Sequence, residues 1–170
     1  MKIIEALKQI KDLQKKAEDL RSKIKVFCAH QSIETPTYDD QTKQISEWLQ
    51  SHSDIIKRIM ELRTAVQRTN LAVEVTVMLD GKTVNHTIAE WIHRRRDLAN
   101  FEESAWRKLT DKNLKEGFMT NSQGEKVEVK IVRCYDPATR DTKVELYRSE
   151  PILIDSQLEI TNAVTDLIEE

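Results

Sequence analysis

The sequence predicts a mainly α protein of the α+β class: a long antiparallel heptad helical hairpin, a third helix, two short β-hairpins and a short C-terminal helix. Three observations predict it. Apolar residues recur three and four apart over most of the first 70 positions, which is the period of a helix with one narrow seam. The period drops to two near residue 73, as in a half-buried strand. Only 3 Gly and 3 Pro occur in 170 residues, too little turn chemistry for a many-stranded sandwich or barrel. The length suits one domain over 1–170, divided into 1–70, 71–86, 87–116, 125–148 and 155–170.

The first helix is read over residues 3–27, where Ile3, Ala6, Ile10, Leu13, Ala17, Leu20, Ile24 and Phe27 form an unbroken seam two residues in seven wide. Residues 28–40 carry Ser32, Thr35, Pro36, Thr37 and Asp39-Asp40 and turn the chain. The seam resumes over about 41–70 with Ile45, Trp48, His52, Ile55, Ile59, Leu62, Val66 and Thr69. Two such helices joined by a short loop fold back as a hairpin, each arm roughly 37–45 Å long at about 1.5 Å per residue. His52 on the seam reads as a packed, locally bonded histidine.

Val73, Val75, Val77 and Leu79 then alternate with polar residues and Met78, and Asp80-Gly81 supplies a tight two-residue turn back through 82–85. Thr87 and Glu90 form a capping-box pattern, so a third helix starts near 88 and runs to about 114, with Gly117 ending it. A second β-hairpin is read at 125–148, with Asp136-Pro137 opening its turn. The last helix follows Pro151, begun by Ser156 and Glu159 and carrying Leu158, Val164, Leu167 and Ile168.

Charge is high and balanced: 33% of residues are charged, and 27 Lys+Arg against 29 Asp+Glu leave a net of −2. A globally basic nucleic-acid binder is thereby disfavoured. The balance hides segregation, since residues 1–30 hold eight bases against four acids and the chain after Arg148 holds six acids and no base. A contact between that basic helix and that acidic tail would offset both. No apolar run approaches the roughly 20 residues of a membrane span, and Lys2, Glu5, Lys8 and Lys11 stand where a signal peptide is apolar, which points to the cytoplasm, or the host cytoplasm for a phage protein. Cys28 and Cys134 have no metal or disulfide spacing and read as reduced, partly buried thiols.

Enzyme signatures are missing. No Gly-flanked nucleophile occurs, and glycines at 81, 117 and 124 build neither a phosphate loop nor a dinucleotide fold. No cofactor or metal is implied.

The feature that stands out is Trp91-Ile92-His93-Arg94-Arg95-Arg96-Asp97, followed by Phe101 and Trp106. Helical residues turn by about 100° each, so three arginines in a row cannot share one solvent face. Both ways of drawing the apolar stripe place Arg95 and Glu102 on the packed side. A guanidinium there needs a partner. In one reading Glu102, or an acid on another helix such as Glu61, supplies it, with Arg94 and Arg96 solvated or paired to Glu90 and Asp97. In the other, Arg94, Arg95 and Arg96, with Trp91 and Trp106 for stacking and Arg63 and Arg68 from the second helix, line a pocket for a phosphate-bearing ligand.

The order of these signals resembles the septicolysin-like proteins of bacteria and phages, distant relatives of the deflagellation-inducible, microtubule-associated proteins. The residues carrying the resemblance are Glu5-Ala6-Leu7 with Asp12-Leu13-Gln14-Lys15; Arg68-Thr69-Asn70; Asp80-Gly81 with Thr83; Thr87 and Ala89 before Arg96-Asp97; and Tyr147-Arg148-Ser149-Glu150. It implies a helical hairpin that oligomerises and no reaction. The chain departs from the pattern in its charged segment around 125–148 and in a last helix that ends early. A looser likeness, in size, helical build and Arg/aromatic composition, is to phage sponge proteins that sequester cyclic nucleotide immune signals. The expected function is therefore non-enzymatic: a homo-oligomer capturing a small anionic nucleotide, or alternatively a structural or scaffolding coiled-coil protein of a virion or cytoskeleton-like assembly.

Overall fold

The computed structural model describes residues 1–169, with Glu170 outside the described residues; the last helix stops at Val164, short of the expected 170, and 165–169 are non-helical chain. The chain divides into two compact units: residues 1–75 with 87–89 and Leu158 onward, and residues 76–86 with 90–157.

In the first unit, α1 (Ile3–Phe27) packs antiparallel along α2 (Gln41–Ala72). All sixteen expected seam residues are buried or half-buried. The full burial is confined to one end of the hairpin, at Ile3, Ala6, Ile10 and Ala17 against Ile59, Leu62, Val66 and Thr69. Asp40 caps α2 by accepting from the Lys43 amide at 2.9 Å. At the hairpin tip, Phe27, Tyr38 and Trp48 close a three-ring cluster with centroids 5.4–5.8 Å apart, and Gln41 donates to the Phe27 carbonyl at 2.7 Å. That bond satisfies one of the carbonyls a helix end leaves free.

The chain's two ends also meet in this unit. The Ile3 amide donates to the Thr165 carbonyl at 3.0 Å and the Leu167 amide to the Met1 carbonyl at 2.8 Å, a short antiparallel bridge. Lys2 Nζ reaches the Asp166 carboxylate at 2.7 Å and the Met1 ammonium stands 4.0 Å from it, so the expected pairing with the acidic tail is made at the very start of the chain. Thr69, fully buried, donates to the Ala65 carbonyl and accepts from the Ile168 amide at 2.9 Å.

The hairpin of β1 (Glu74–Leu79) and β2 (Lys82–Thr87) turns at Asp80 and Gly81 with φ of 53° and 70°. Two successive positive φ angles are what a type I′ turn demands, as Asp-Gly predicts. The third helix is α3 (Ile88–His93), a π-helical turn over Arg94–Leu98, and α4 (Ala99–Arg107). It ends earlier than the expected 114.

Two further expectations are corrected. The second β-hairpin is not at 125–148 but pairs β3 (Gly117–Thr120) with β4 (Lys126–Val129), Gly117 facing Val129. Asp136-Pro137 opens a helix, not a turn: Asp136 accepts from the Thr139 amide at 2.8 Å and hydroxyl at 2.6 Å, and Pro137 takes the first helical position, where a missing N–H costs nothing. The resulting α5 (Pro137–Val164) runs straight through Pro151. Pro151 leaves the Tyr147 carbonyl without its helical donor, a local cost of about 3 kcal/mol in an isolated helix. Ser156 sits mid-helix, its hydroxyl bonded back to the Ile152 carbonyl at 3.0 Å, and caps nothing.

Candidate functional site

The arginine triplet lies on the π turn, and the turn decides which arginine goes inward. A π turn closes i→i+5 bonds and inserts one residue into the helical phase. The buried face therefore steps from Ile88 and Trp91 through half-buried Arg94 to Ala99 and Glu103. An unbroken α-helix would have carried it to Arg95 and Glu102. Those two are exposed, so the expected inward pair is corrected by one position each.

Every arginine of the triplet has an acid. Arg94 forks onto Glu150 of α5 through Nε and through Nη2 at 3.1 Å, and its Nη1 stands 3.6 Å from Glu102. Glu150 is 2% exposed and Arg94 also lies over the Tyr147 ring at 5.5 Å. The hydrogen bond to Glu150 raises the Arg94 pKa further above its ordinary range, so this charge is fixed. Arg95 pairs with Asp155, and Arg96 with Asp97 at 3.7 Å and with His93 Nδ1 at 3.1 Å. Glu103, nearly buried, holds Arg107 at 2.5 Å and Arg148 at 3.4 Å. Partners on α5 fall from 150 and 155 through 148 to 140 as the third helix and its end run from 94 and 95 through 103 to 109, so the two segments run antiparallel, held in register by ion pairs.

The aromatic candidates stand as follows. Trp91 is 1% exposed, edge-on to His86 with centroids 4.8 Å apart, and is a core residue. Trp106 is half-buried on α4. Arg63 and Arg68 belong to the first unit. Arg63 lines an open groove of about 440 Å³ between α1 and α2, with Arg21, Ile56 and Met60. Arg68 donates to the Glu169 carbonyl at 3.4 Å. Glu61 pairs with Arg58 at 3.1 Å on its own helix.

Sequence reasoning missed Glu150 as the partner. Its signal is a stripe of Tyr147, Glu150, Ile154, Leu158 and Thr161, spaced three and four apart, which a helix start after Pro151 cuts in two. His52 packs on the seam, but its Nε2 is buried without a hydrogen-bond partner instead of bonded locally. Cys28 and Cys134 are exposed rather than partly buried. Among the described residues no group of three His, Cys, Asp or Glu side chains converges on a metal position, and no helix is long and apolar enough to cross a membrane.

A family model matches residues 11–167, nearly the whole chain, and describes a family of unknown function, DUF6847. The chain belongs to that family. It is also similar to a solved structure, a functionally unknown conserved protein from Corynebacterium diphtheriae, with 21% identity over 99% of both chains and a TM-score of 0.57. That likeness shows a shared fold alone. No curated protein matches the chain.

Proposed function

We propose that this DUF6847 protein is a non-enzymatic, cytoplasmic structural protein that assembles with copies of itself through the α1–α2 hairpin. One observation carries the reading: between Glu18 and Arg58, the outer half of the hairpin, no residue is fully buried. Its seam of Leu20, Ile24, Ile45, Trp48 and Ile55 is only half covered by a single partner helix. On one flank of that seam Leu7, Leu49, Ile56 and Met60 are 44–61% exposed. Covering each would gain about 1 kcal/mol, which favours association of hairpins into a bundle. The resemblance to septicolysin-like hairpins points the same way.

Ion pairing of the arginine triplet supports a structural role over phosphate capture at Arg94–Arg96, because a ligand there would have to displace Glu150, Asp155 and Asp97. Drawing the Arg94 guanidinium away would strand the buried Glu150 carboxylate. A native mass spectrum of the purified chain tests both readings together. Multiples of the 19.8 kDa subunit without added mass are expected. A bare monomer contradicts assembly, and a subunit carrying a nucleotide mass favours the sponge.

A further inference from the structure

We propose that the concavity between the end of α4 and the first half of α5 binds a small phosphate-bearing molecule of about diphosphate size. The hollow, some 490 Å³, lies within the range of small-molecule sites and is walled by Arg107, Thr110 and Lys112 on one side and Arg140, Asp141 and Arg148 on the other. Its charge is out of balance. Arg107 and Arg148 meet on one carboxylate, Glu103, at 2.5 and 3.4 Å, and Arg148 also reaches Glu145 on its own helix at 3.0 Å. Lys112 has no carboxylate partner among the described residues. Each lining guanidinium has a carboxylate, Arg107 in Glu103, Arg148 in Glu145 and Arg140 in Asp141, and Lys112 is the cation left over.

The donors are also held in place. Arg140 is anchored by donating through Nη1 to the Leu109 carbonyl at 3.0 Å, by Asp141 at 2.8 Å, and by lying 5.7 Å from the centre of the Tyr135 ring. A guanidinium so fixed still has N–H groups to spare, and its planar fork matches two phosphate oxygens. The Thr110 hydroxyl accepts from the Lys112 amide at 3.3 Å, which leaves its own proton to donate. Rigid guanidinium, mobile ammonium and hydroxyl around one hollow are the donor set that recognises a di-anionic or tri-anionic phosphate. The inference is independent of self-association.

Calorimetric titration of the full chain with inorganic pyrophosphate tests it, at fixed ionic strength and with sodium sulfate as the competing anion. Saturable binding is expected, weakened about tenfold or more by Lys112→Glu and unchanged by Arg96→Glu. Circular dichroism checks the fold of each variant. Should Lys112→Glu misfold, Arg107→Gln serves instead, because Arg148 still holds Glu103. Heat-silent titration, full affinity in the Lys112→Glu protein, equal competition by sulfate, or equal loss in Arg96→Glu would each overturn the proposal.

Discussion

Arg94 and Arg96 are two residues apart and identical in type, yet their environments predict opposite responses to substitution. Arg94→Met strands Glu150 at 2% exposure without its counter-charge, and stability should fall by about 3–5 kcal/mol. Arg96→Ala removes only exposed contacts and should stay within about 0.5 kcal/mol. Urea denaturation of both variants measures the difference, and equal losses would mean that the Arg94 fork is not what holds α5. His52 offers the reverse case. Its buried Nε2 has no partner, so His52→Leu removes an unmet desolvation cost and should stabilise by about 1 kcal/mol, read from the same experiment. A destabilised His52→Leu protein would show that the ring is bonded after all.

The caps of α5 and of the terminal bridge respond to acid at the level of elements. Hydrogen bonds from Thr139 hold the Asp136 carboxyl below its ordinary pKa, and the bond from Lys2 does the same for Asp166. A carboxylate depressed in the folded state contributes its full stabilisation above its unfolded pKa, near 3.9, and loses it as pH falls through the lower folded value. Amide exchange in the first turn of α5, and at Ile3 and Leu167, should therefore accelerate between about pH 4 and 2. Asp136→Asn and Asp166→Asn should flatten that dependence, each in its own element. The seams of α1 and α2 and the Asp80-Gly81 turn were legible from spacing and turn chemistry alone, because each is dictated locally. The second half of the chain was less so. Asp136-Pro137 suits a turn and a helix start equally well in sequence, and only tertiary burial of Glu150 and Ile154 carries a helix across Pro151. The π turn left no periodic signal, since a single inserted residue shifts phase without altering composition. That is why the inward arginine is Arg94 and not Arg95, and why Glu150 and Asp155 lay beyond reach of the sequence while Asp97, the partner of Arg96, did not.

At the scale of the molecule, a charged third of the sequence serves mostly to bind the chain to itself. Acids on α5 neutralise Arg94 and Arg95, Asp97 pairs with Arg96, and Lys2 and Asp166 fasten the two ends of the first unit. What those pairs leave over is the half-covered outer hairpin, and the account's central claim is that other copies cover it. Sedimentation velocity across a wide concentration range tests that claim most directly, comparing the native chain with a Leu49→Glu, Ile56→Glu double variant. These positions are 54% and 46% exposed, so the variant should retain its helix content. The account predicts that the native chain sediments as an oligomer and the variant as a single subunit. A native chain that stays monomeric at every concentration, or a variant that assembles equally well, would contradict it.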